Sequence, residues 1–164
     1  MPNEIHRKPD IAEFAVDVGA SCAELDSLPD QDLCWSAPIA TLEDCEKADF
    51  TVKIKAGTDP DGTVEIYAVR NGATNRVGTD DIDTNDHGTE GTTEDIARVK
   101  GVLGTPVDII SAVNTTGKVY TTNFRVWDPG PSVTLFFFNN TGAALDGTSS
   151  PHAVHGRGWL PEIQ

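Results

Sequence analysis

The amino-acid sequence predicts an all-β protein, an antiparallel β-sandwich with an extended N-terminal arm. Eight to nine short segments have the apolar patterns of strands, turn-forming residues separate most of them, and almost no segment has helical spacing. Strands of this number and spacing are typical of a sandwich, and a jelly roll is the eight-stranded version. The 164 residues suffice for one domain with its own core. We predict an arm and covering segment over residues 1–47 and the sandwich domain over residues 48–164.

The first 47 residues are the least regular part of the chain. Residues 1–12 are polar, with two prolines and a basic cluster, and we expect an extended arm. A short strand is predicted from Phe14 to Val18, and a helical turn from Leu42 to Ala48. Between them, scattered apolar residues are typical of a segment that packs over a sheet or reaches a neighbouring molecule. Both alternatives stay open.

The next two strands are predicted to form a hairpin. Residues 49–56 and 63–70 each alternate apolar and polar side chains, and the intervening Gly-Thr-Asp-Pro-Asp-Gly is dense in turn formers. Further along the chain we predict strands over 96–103, interrupted by Gly101, and over 107–113, 118–127, 133–138 and 152–159.

The strand from Val133 to Phe138 is the most apolar of these segments. Val133, Leu135 and Phe137 point to one face, whereas Phe136 and Phe138 point to the other. A strand with one solvated face would carry polar residues at those two positions. Phe136 and Phe138 must therefore be covered by another segment of the chain, by a second copy or by a different protein.

The charge of the chain excludes some partners. A net charge of −14 argues against nucleic acid, because binding phosphates needs a basic face. No apolar run approaches the length of a membrane span, so we expect no membrane partner. The sequence also lacks the layout of a signal peptide, which favours a protein that stays in the cytoplasm or in a particle assembled there.

Residues 71–93 form a glycine-rich acidic segment that we expect to be a long exposed loop. Asp81, Asp83 and Asn85 place oxygen atoms at every second position, as calcium loops do. The segment departs from the EF-hand pattern, since Asp86 stands where the tight-turn glycine belongs and Thr92 where the bidentate glutamate belongs. We therefore predict a solvated loop, and a calcium site at Asp81, Asp83 and Asn85 is the alternative.

No set of residues specifies catalysis. The three cysteines, Cys22, Cys34 and Cys45, lack zinc-site spacing and are predicted to be buried free thiols. His152 and His155 are predicted to be surface residues on opposite faces of the last strand. Motifs for an activated serine or a phosphate-binding loop are missing from the sequence. We predict a protein that is not an enzyme and has no cofactor.

Three segments carry a resemblance to a known family. They are Val-Glu-Ile-Tyr-Ala-Val-Arg-Asn-Gly from Val64, Lys-Val-Tyr-Thr-Thr-Asn-Phe-Arg-Val from Lys118, and Val-Thr-Leu-Phe-Phe-Phe-Asn-Asn-Thr-Gly-Ala-Ala-Leu-Asp from Val133. Together they resemble small structural proteins of tailed bacteriophages, and they are similar to the capsid decoration (cement) proteins on the outside of the head, several of which are jelly rolls. The resemblance covers residues 48–160 in outline.

The resemblance implies a virion structural protein that is assembled in the host cytoplasm and lies on the capsid exterior. It would bind the major capsid protein and stabilise contacts between its subunits, either as a monomer or as a homotrimer. The candidate interface residues fall into an arm and an apolar patch. They are Ile5, Arg7, Lys8 and Phe14 in the arm, and Phe136, Phe138 and Trp159 in the patch.

A second interpretation is a tail or fibre-associated module that binds a host glycan. Jelly rolls serve both roles, so the fold does not decide between them. This interpretation predicts that Tyr67, Trp127 and the acidic loop converge at one end of the sandwich, with binding that depends on calcium.

Overall fold

The computed structural model describes residues 14–17, 25–36, 39, 45–71, 88–90, 93–113, 115–130, 132–148 and 152–159. In this part of the chain there are nine strands and one helix. They are β1 (Phe14–Asp17), β2 (Leu33–Trp35), β3 (Lys47–Lys55), β4 (Asp61–Asn71), β5 (Gly88–Glu90), α1 (Thr93–Leu103), β6 (Asp108–Val113), β7 (Val119–Trp127), β8 (Ser132–Asn140) and β9 (Ala153–Trp159).

The strands form two antiparallel sheets, which confirms the predicted sandwich. Sheet A has the order β1-β9-β3-β7, and sheet B has the order β5-β2-β8-β4-β6. The two sheets pack one apolar face against the other. Phe50 of β3 and Phe124 of β7 stack with ring centroids 5.5 Å apart, and Phe137 of β8 belongs to the same buried cluster. The apolar and polar residues that alternate in the sequence are side chains that point alternately into this core and away from it.

The predicted hairpin between β3 and β4 is wrong. β3 pairs with β7 and β9 in sheet A, whereas β4 pairs with β6 and β8 in sheet B. The connecting segment crosses from one sheet to the other, close to the backbone that follows β8. A Cβ atom on Gly57 would lie 1.8 Å from the carbonyl oxygen of Ala144, and one on Gly62 would lie 2.0 Å from that of Asn140. Because glycine has no Cβ, the chain can pass this close to the neighbouring backbone as it crosses from one sheet to the other.

The predicted strand over 96–103 is also wrong, because this segment lies in α1 (Thr93–Leu103). Val99 and Leu103 are four residues apart, which places both on one face of a helix, and that face packs on the outer side of sheet B. Gly104 ends the helix with φ of 77° and donates its N–H to the carbonyl of Lys100 at 3.0 Å. Gly101 therefore lies within the helix and does not interrupt a strand.

Parts of the first 47 residues belong to the sandwich itself. β1 pairs with β9 in sheet A, and β2 lies between β5 and β8 in sheet B. The predicted helical turn over 42–48 is wrong where it is described, since Lys47 and Ala48 begin β3. The arm residues Ile5, Arg7 and Lys8 lie outside the described residues.

Asn139, in the turn that carries the family resemblance, is completely buried and joins three chain segments. Its side-chain amide donates to the carbonyl oxygens of Leu28 at 2.9 Å, Pro29 at 3.0 Å and Ala143 at 2.8 Å. Its Oδ1 accepts from the backbone N–H of Thr141 at 3.2 Å and from the Thr141 hydroxyl at 2.8 Å. The motif therefore satisfies buried backbone groups of residues 28–29 and holds them against the end of β8.

Candidate functional site

Phe136 and Phe138 lie inside the protein, so they do not form the predicted interface patch. Phe136 is 0% exposed and stacks on Trp35 with ring centroids 5.9 Å apart, while Phe138 is 5% exposed. Both belong to a second buried cluster on the outer side of sheet B, to which Val99 of α1 contributes. Of the three alternatives for covering these rings, the structure shows the first: another segment of the same chain covers them.

A polar link fixes α1 over these rings. The Lys100 ammonium lies 3.9 Å from the centroid of the Phe138 ring and 2.7 Å from the Glu65 carboxylate. Glu65 also accepts a hydrogen bond from the hydroxyl of Tyr67. Burial raises the pKa of Tyr67 well above its ordinary value, and the neighbouring Glu65 adds to this effect. Tyr67 is buried, so it cannot line the glycan site that the second interpretation predicted.

The outer face of sheet A presents a different kind of surface. The register places Trp159, Lys47 and Trp127 side by side on β9, β3 and β7. The next row across the same strands is Arg157, Asp49 and Arg125. We call these six residues the cationic face. It carries three basic side chains and one carboxylate, although the chain as a whole has a net charge of −14.

Asp49 organises the cationic face. Arg125 donates to both of its carboxylate oxygens, at 2.5 and 3.0 Å, and the indole N–H of Trp159 donates to one of them at 2.9 Å. The hydrogen bonds from Arg125, with a further one from Trp159, lower the pKa of Asp49 despite partial desolvation. Asp49 therefore stays ionised and holds both side chains in place.

A shallow cleft lies beside this arrangement, between β3 and β9. It has a volume of about 400 Å³ and is lined by Asp49, Thr51, His155, Gly156, Arg157 and Trp159. Trp127 lies on β7, on the other side of Lys47 from the cleft, and is 54% exposed. The Lys47 ammonium lies 5.5 Å and the Arg125 guanidinium 5.4 Å from its ring centroid. The cleft thus combines indole rings, cations and a small set of hydrogen-bonding groups.

Trp159 is one of the predicted interface residues, and it lies on the outer face of sheet A. It is partly buried, and its indole N–H is already bound to Asp49. Phe14 is on β1, where its backbone pairs with Gly156 of β9, beside the cleft. The sequence did not predict that Trp159 and Trp127 share a face, because that depends on both strands pairing with β3.

Exposed apolar side chains lie on and near β6, the last strand of sheet B in the described part of the chain. Ile109 and Val113 of β6 are 50% and 53% exposed, and Val107, just before the strand, is exposed as well. Val102, in the last turn of α1, is a fourth exposed apolar side chain in the chain segment that leads to this edge. We call Val102, Val107, Ile109 and Val113 the apolar edge.

Side-chain oxygens accept hydrogen bonds from backbone N–H groups along this edge. The N–H of Ile109 donates to the Asp108 carboxylate at 2.8 Å, and the N–H of Val113 donates to the hydroxyl of Tyr120 at 3.1 Å. Both donors are unavailable to an added strand, which is how proteins protect a sheet edge. A partner would therefore contact the apolar edge through side chains.

The remaining predictions concern metal ligands and the cysteines. Asp81, Asp83 and Asn85 lie outside the described residues, so the calcium alternative stays a prediction. Among the residues that are described, no group of three or more His, Cys, Asp or Glu is arranged to hold a metal ion. Cys34 and Cys45 are buried free thiols, as predicted, and Cys22 is outside the described range.

No protein-family model matches this chain, and no curated protein matches it. No helix within the described ranges is long and apolar enough to cross a membrane.

His152 is the buried group that the sequence interpretation missed, since we expected it on the surface. Its Nδ1 accepts the backbone N–H of Lys55 at 3.3 Å, and its Nε2 lies 2.7 Å from the carbonyl oxygen of Asp146 and 3.7 Å from the Asp26 carboxylate. Lys55 in turn pairs with the Asp146 carboxylate at 2.8 Å. Burial lowers the pKa of His152, and this effect exceeds the opposing ones of the Asp146 carbonyl and of Asp26.

This environment predicts an acid-sensitive fold. Because the folded-state pKa of His152 lies below its unfolded value, the unfolded chain binds the proton first as the pH falls. The contribution of neutral His152 to stability is complete above the unfolded pKa of about 6.5 and is lost as the pH falls from there toward the folded-state pKa. Urea unfolding at about pH 7.5 and pH 5.5 should show this loss. His152→Gln should lessen it, whereas His155→Gln, at an exposed site, should not. Equal losses in all three proteins would contradict the assignment.

Proposed function

We propose that the protein is a bacteriophage virion structural protein, a capsid decoration (cement) protein. In this proposal it binds the outer surface of the head and stabilises contacts between major capsid protein subunits, and it has no enzymatic role. The observation that carries the proposal is the apolar edge, because several exposed apolar side chains along one sheet edge are a candidate surface for a protein partner.

The strand order is a second support. With the three-residue β5 set aside, the remaining eight strands alternate between the sheets, except for the neighbours β4 and β6. Sheet A then holds the first, eighth, third and sixth strands, and sheet B the second, seventh, fourth and fifth. We propose a jelly-roll topology for the sandwich, and this strand order supports it. Jelly rolls are common in viral shell proteins, although fold alone does not specify a role.

The resemblance to decoration proteins is a third support. Its most distinctive segment, from Asn139 to Leu145, forms the buried polar network that closes the end of β8. A shared motif with a structural task fits a shared fold, and it assigns no partner. The arm residues Ile5, Arg7 and Lys8 stay in the proposal as a second capsid contact.

The apolar edge predicts where the capsid contact lies. Purified protein mixed with heads that lack it should give ordered density at repeated positions between capsid subunits in cryo-electron microscopy. Ile109→Asp and Val113→Asp should each weaken head binding by about tenfold, because a carboxylate would be buried against the shell. Both residues are exposed, so the variants should unfold at the same denaturant concentration as the parent protein.

Asn123→Asp is the control, because it adds the same charge at an exposed site farther along β7, where Asn123 lies in register with Thr51 of β3 in sheet A. It should coat heads as the parent protein does. Normal coating by Ile109→Asp and Val113→Asp would exclude the apolar edge as the contact. Bare heads with the parent protein would overturn the decoration role itself.

A second candidate function is the host-glycan-binding module of a tail or fibre. The cleft between β3 and β9, with Trp159 in its wall and Trp127 beside it, favours this alternative. Indole rings flanked by hydrogen-bonding groups are a suitable lining for a ligand that has both apolar and polar faces.

A further inference from the structure

We propose that the cationic face and its cleft bind a short acidic oligosaccharide, one that carries carboxylates on its sugar rings. This inference rests on the second of the two proposed functions and specifies its ligand class. It uses sheet A only, so it is independent of the apolar edge on sheet B.

Charge complementarity is the first argument for an anionic ligand. The two rows that form the cationic face bring Lys47, Arg125 and Arg157 together around one carboxylate. Lys53 adds a further basic side chain two rows along β3. Because the rest of the chain is strongly acidic, a long-range field would repel anions everywhere except at a local concentration of positive charge.

The neutralisation of Asp49 strengthens this argument. Its two oxygens already accept three hydrogen bonds, two from Arg125 and one from Trp159. The carboxylate therefore serves to orient these side chains, and its charge is compensated within the protein. The three basic side chains of the face then outnumber its one carboxylate, which favours an anionic ligand.

The aromatic residues are the argument for a sugar. Trp127 and Trp159 lie on the strands at either side of β3, so their backbones are about 10 Å apart. That separation suits successive rings of a short oligosaccharide, which can place its apolar C–H face on an indole. The cations beside the exposed indole disfavour a hydrophobic peptide, because an apolar partner would desolvate their charges without offering hydrogen bonds in return.

The cleft supplies the remaining contacts. Its volume of about 400 Å³ is near the lower end of the range for ligand sites, which is roughly 300–1,000 Å³. Thr51, His155 and Arg157 present hydroxyl, imidazole and guanidinium groups in its wall. These groups suit sugar hydroxyls and a ring carboxylate, and guanidinium can bind a carboxylate through two parallel hydrogen bonds.

The test uses three probes that separate charge from sugar. They are the trimer of galacturonic acid, the methyl ester of the same trimer, and a peptide of three aspartates. Calorimetry gives the affinity, and NMR of the indole N–H signals gives the place of binding. The acid trimer should bind at least about tenfold more tightly than the ester, and added salt should weaken it. The signals of Trp127 and Trp159 should shift, whereas that of Trp35, buried under α1, should not.

Substitutions then locate the contacts. Trp127→Ala and Arg157→Ala should each weaken binding of the acid trimer by about tenfold, as expected for an aromatic or arginine anchor. Lys118→Ala is the matched control, because Lys118 is an exposed cation just before β7, at the opposite end of that strand from Trp127. It should change the affinity by less than about twofold.

Each other outcome rejects a specific part of the proposal. Equal binding of acid and ester would reject the acidic class and leave the glycan function standing. Equal binding of the aspartate peptide would indicate an acidic protein segment as the ligand. No binding of either trimer would reject both the inference and the glycan function, and the decoration role would then rest on the head-binding experiment alone.

Discussion

Replacing Asn139 with alanine is expected to lower the free energy of unfolding by about 2–3 kcal/mol, a large fraction of the stability of a domain of this size. The substitution removes the donor for the carbonyls of Leu28, Pro29 and Ala143, and the acceptor for Thr141. Asn139 is fully buried, so water cannot replace these bonds without entering the core. The carbonyls keep other donors, namely the N–H of Leu145, the N–H of Asp32 and the hydroxyl of Thr141, so the group left without a partner is the backbone N–H of Thr141, at a cost of about 1–3 kcal/mol.

Urea unfolding of Asn139→Ala and Asn140→Ala gives the measurement and its control. Asn140 is the next residue in the same strand, but it is exposed, and its side chain accepts a hydrogen bond from the Gln31 side chain. Asn140→Ala should cost less than about 0.5 kcal/mol. If both substitutions cost the same small amount, the polar network would not be what holds residues 28–29 to β8.

The alternation of apolar residues predicted the strands well, because burial in a sandwich follows the two-residue period directly. In β3, Phe50, Val52 and Ile54 are buried, as their spacing indicated, and β7 buries Phe124 and Val126. The pattern says which face of a strand is inside. It does not say which strand lies alongside, and for that reason the hairpin between β3 and β4 was wrong while both strands were right.

The helix was missed for a related reason. In the segment 96–103 apolar residues occur at spacings that suit either a strand or a helix, and the segment is short. The deciding contact is long-range, since Val99 packs on rings that come from β2, β4 and β8. The glycine that ends the helix, Gly104, was the local signal that could have predicted it.

The candidate sites depended even more on tertiary structure. The alternation of apolar and polar residues breaks down at Phe136 and Phe138, which correctly indicated that both rings are covered. The sequence could not show that α1 covers them. The cationic face combines residues from three strands, so no single stretch of sequence reveals it. His152 is buried against Asp146 and Lys55. Because Lys55 is far from it in the sequence, the local pattern could not indicate this burial.

Phe136→Ala is expected to cost about 3–5 kcal/mol, because it leaves a cavity between sheet B and α1. The ring is 0% exposed and stacks on Trp35, and the rigid β8 backbone limits how far the surroundings can collapse. Trp127→Ala is the control: it removes a larger side chain, but one that is 54% exposed, and should cost less than about 1 kcal/mol. Similar costs for the two substitutions would contradict the burial of Phe136.

A double-mutant cycle separates cover by α1 from cover by a second copy. Val99 of α1 belongs to the same buried cluster as Phe136, so the costs of Val99→Ala and Phe136→Ala should differ from additivity by at least about 0.5 kcal/mol. If a second copy covered the ring, the unfolding midpoint would instead rise with protein concentration, because association stabilises the folded state. We expect coupling and no dependence on concentration. This result would exclude Phe136 from any intersubunit contact and leave the apolar edge and the cationic face as the surfaces through which the protein binds its partners.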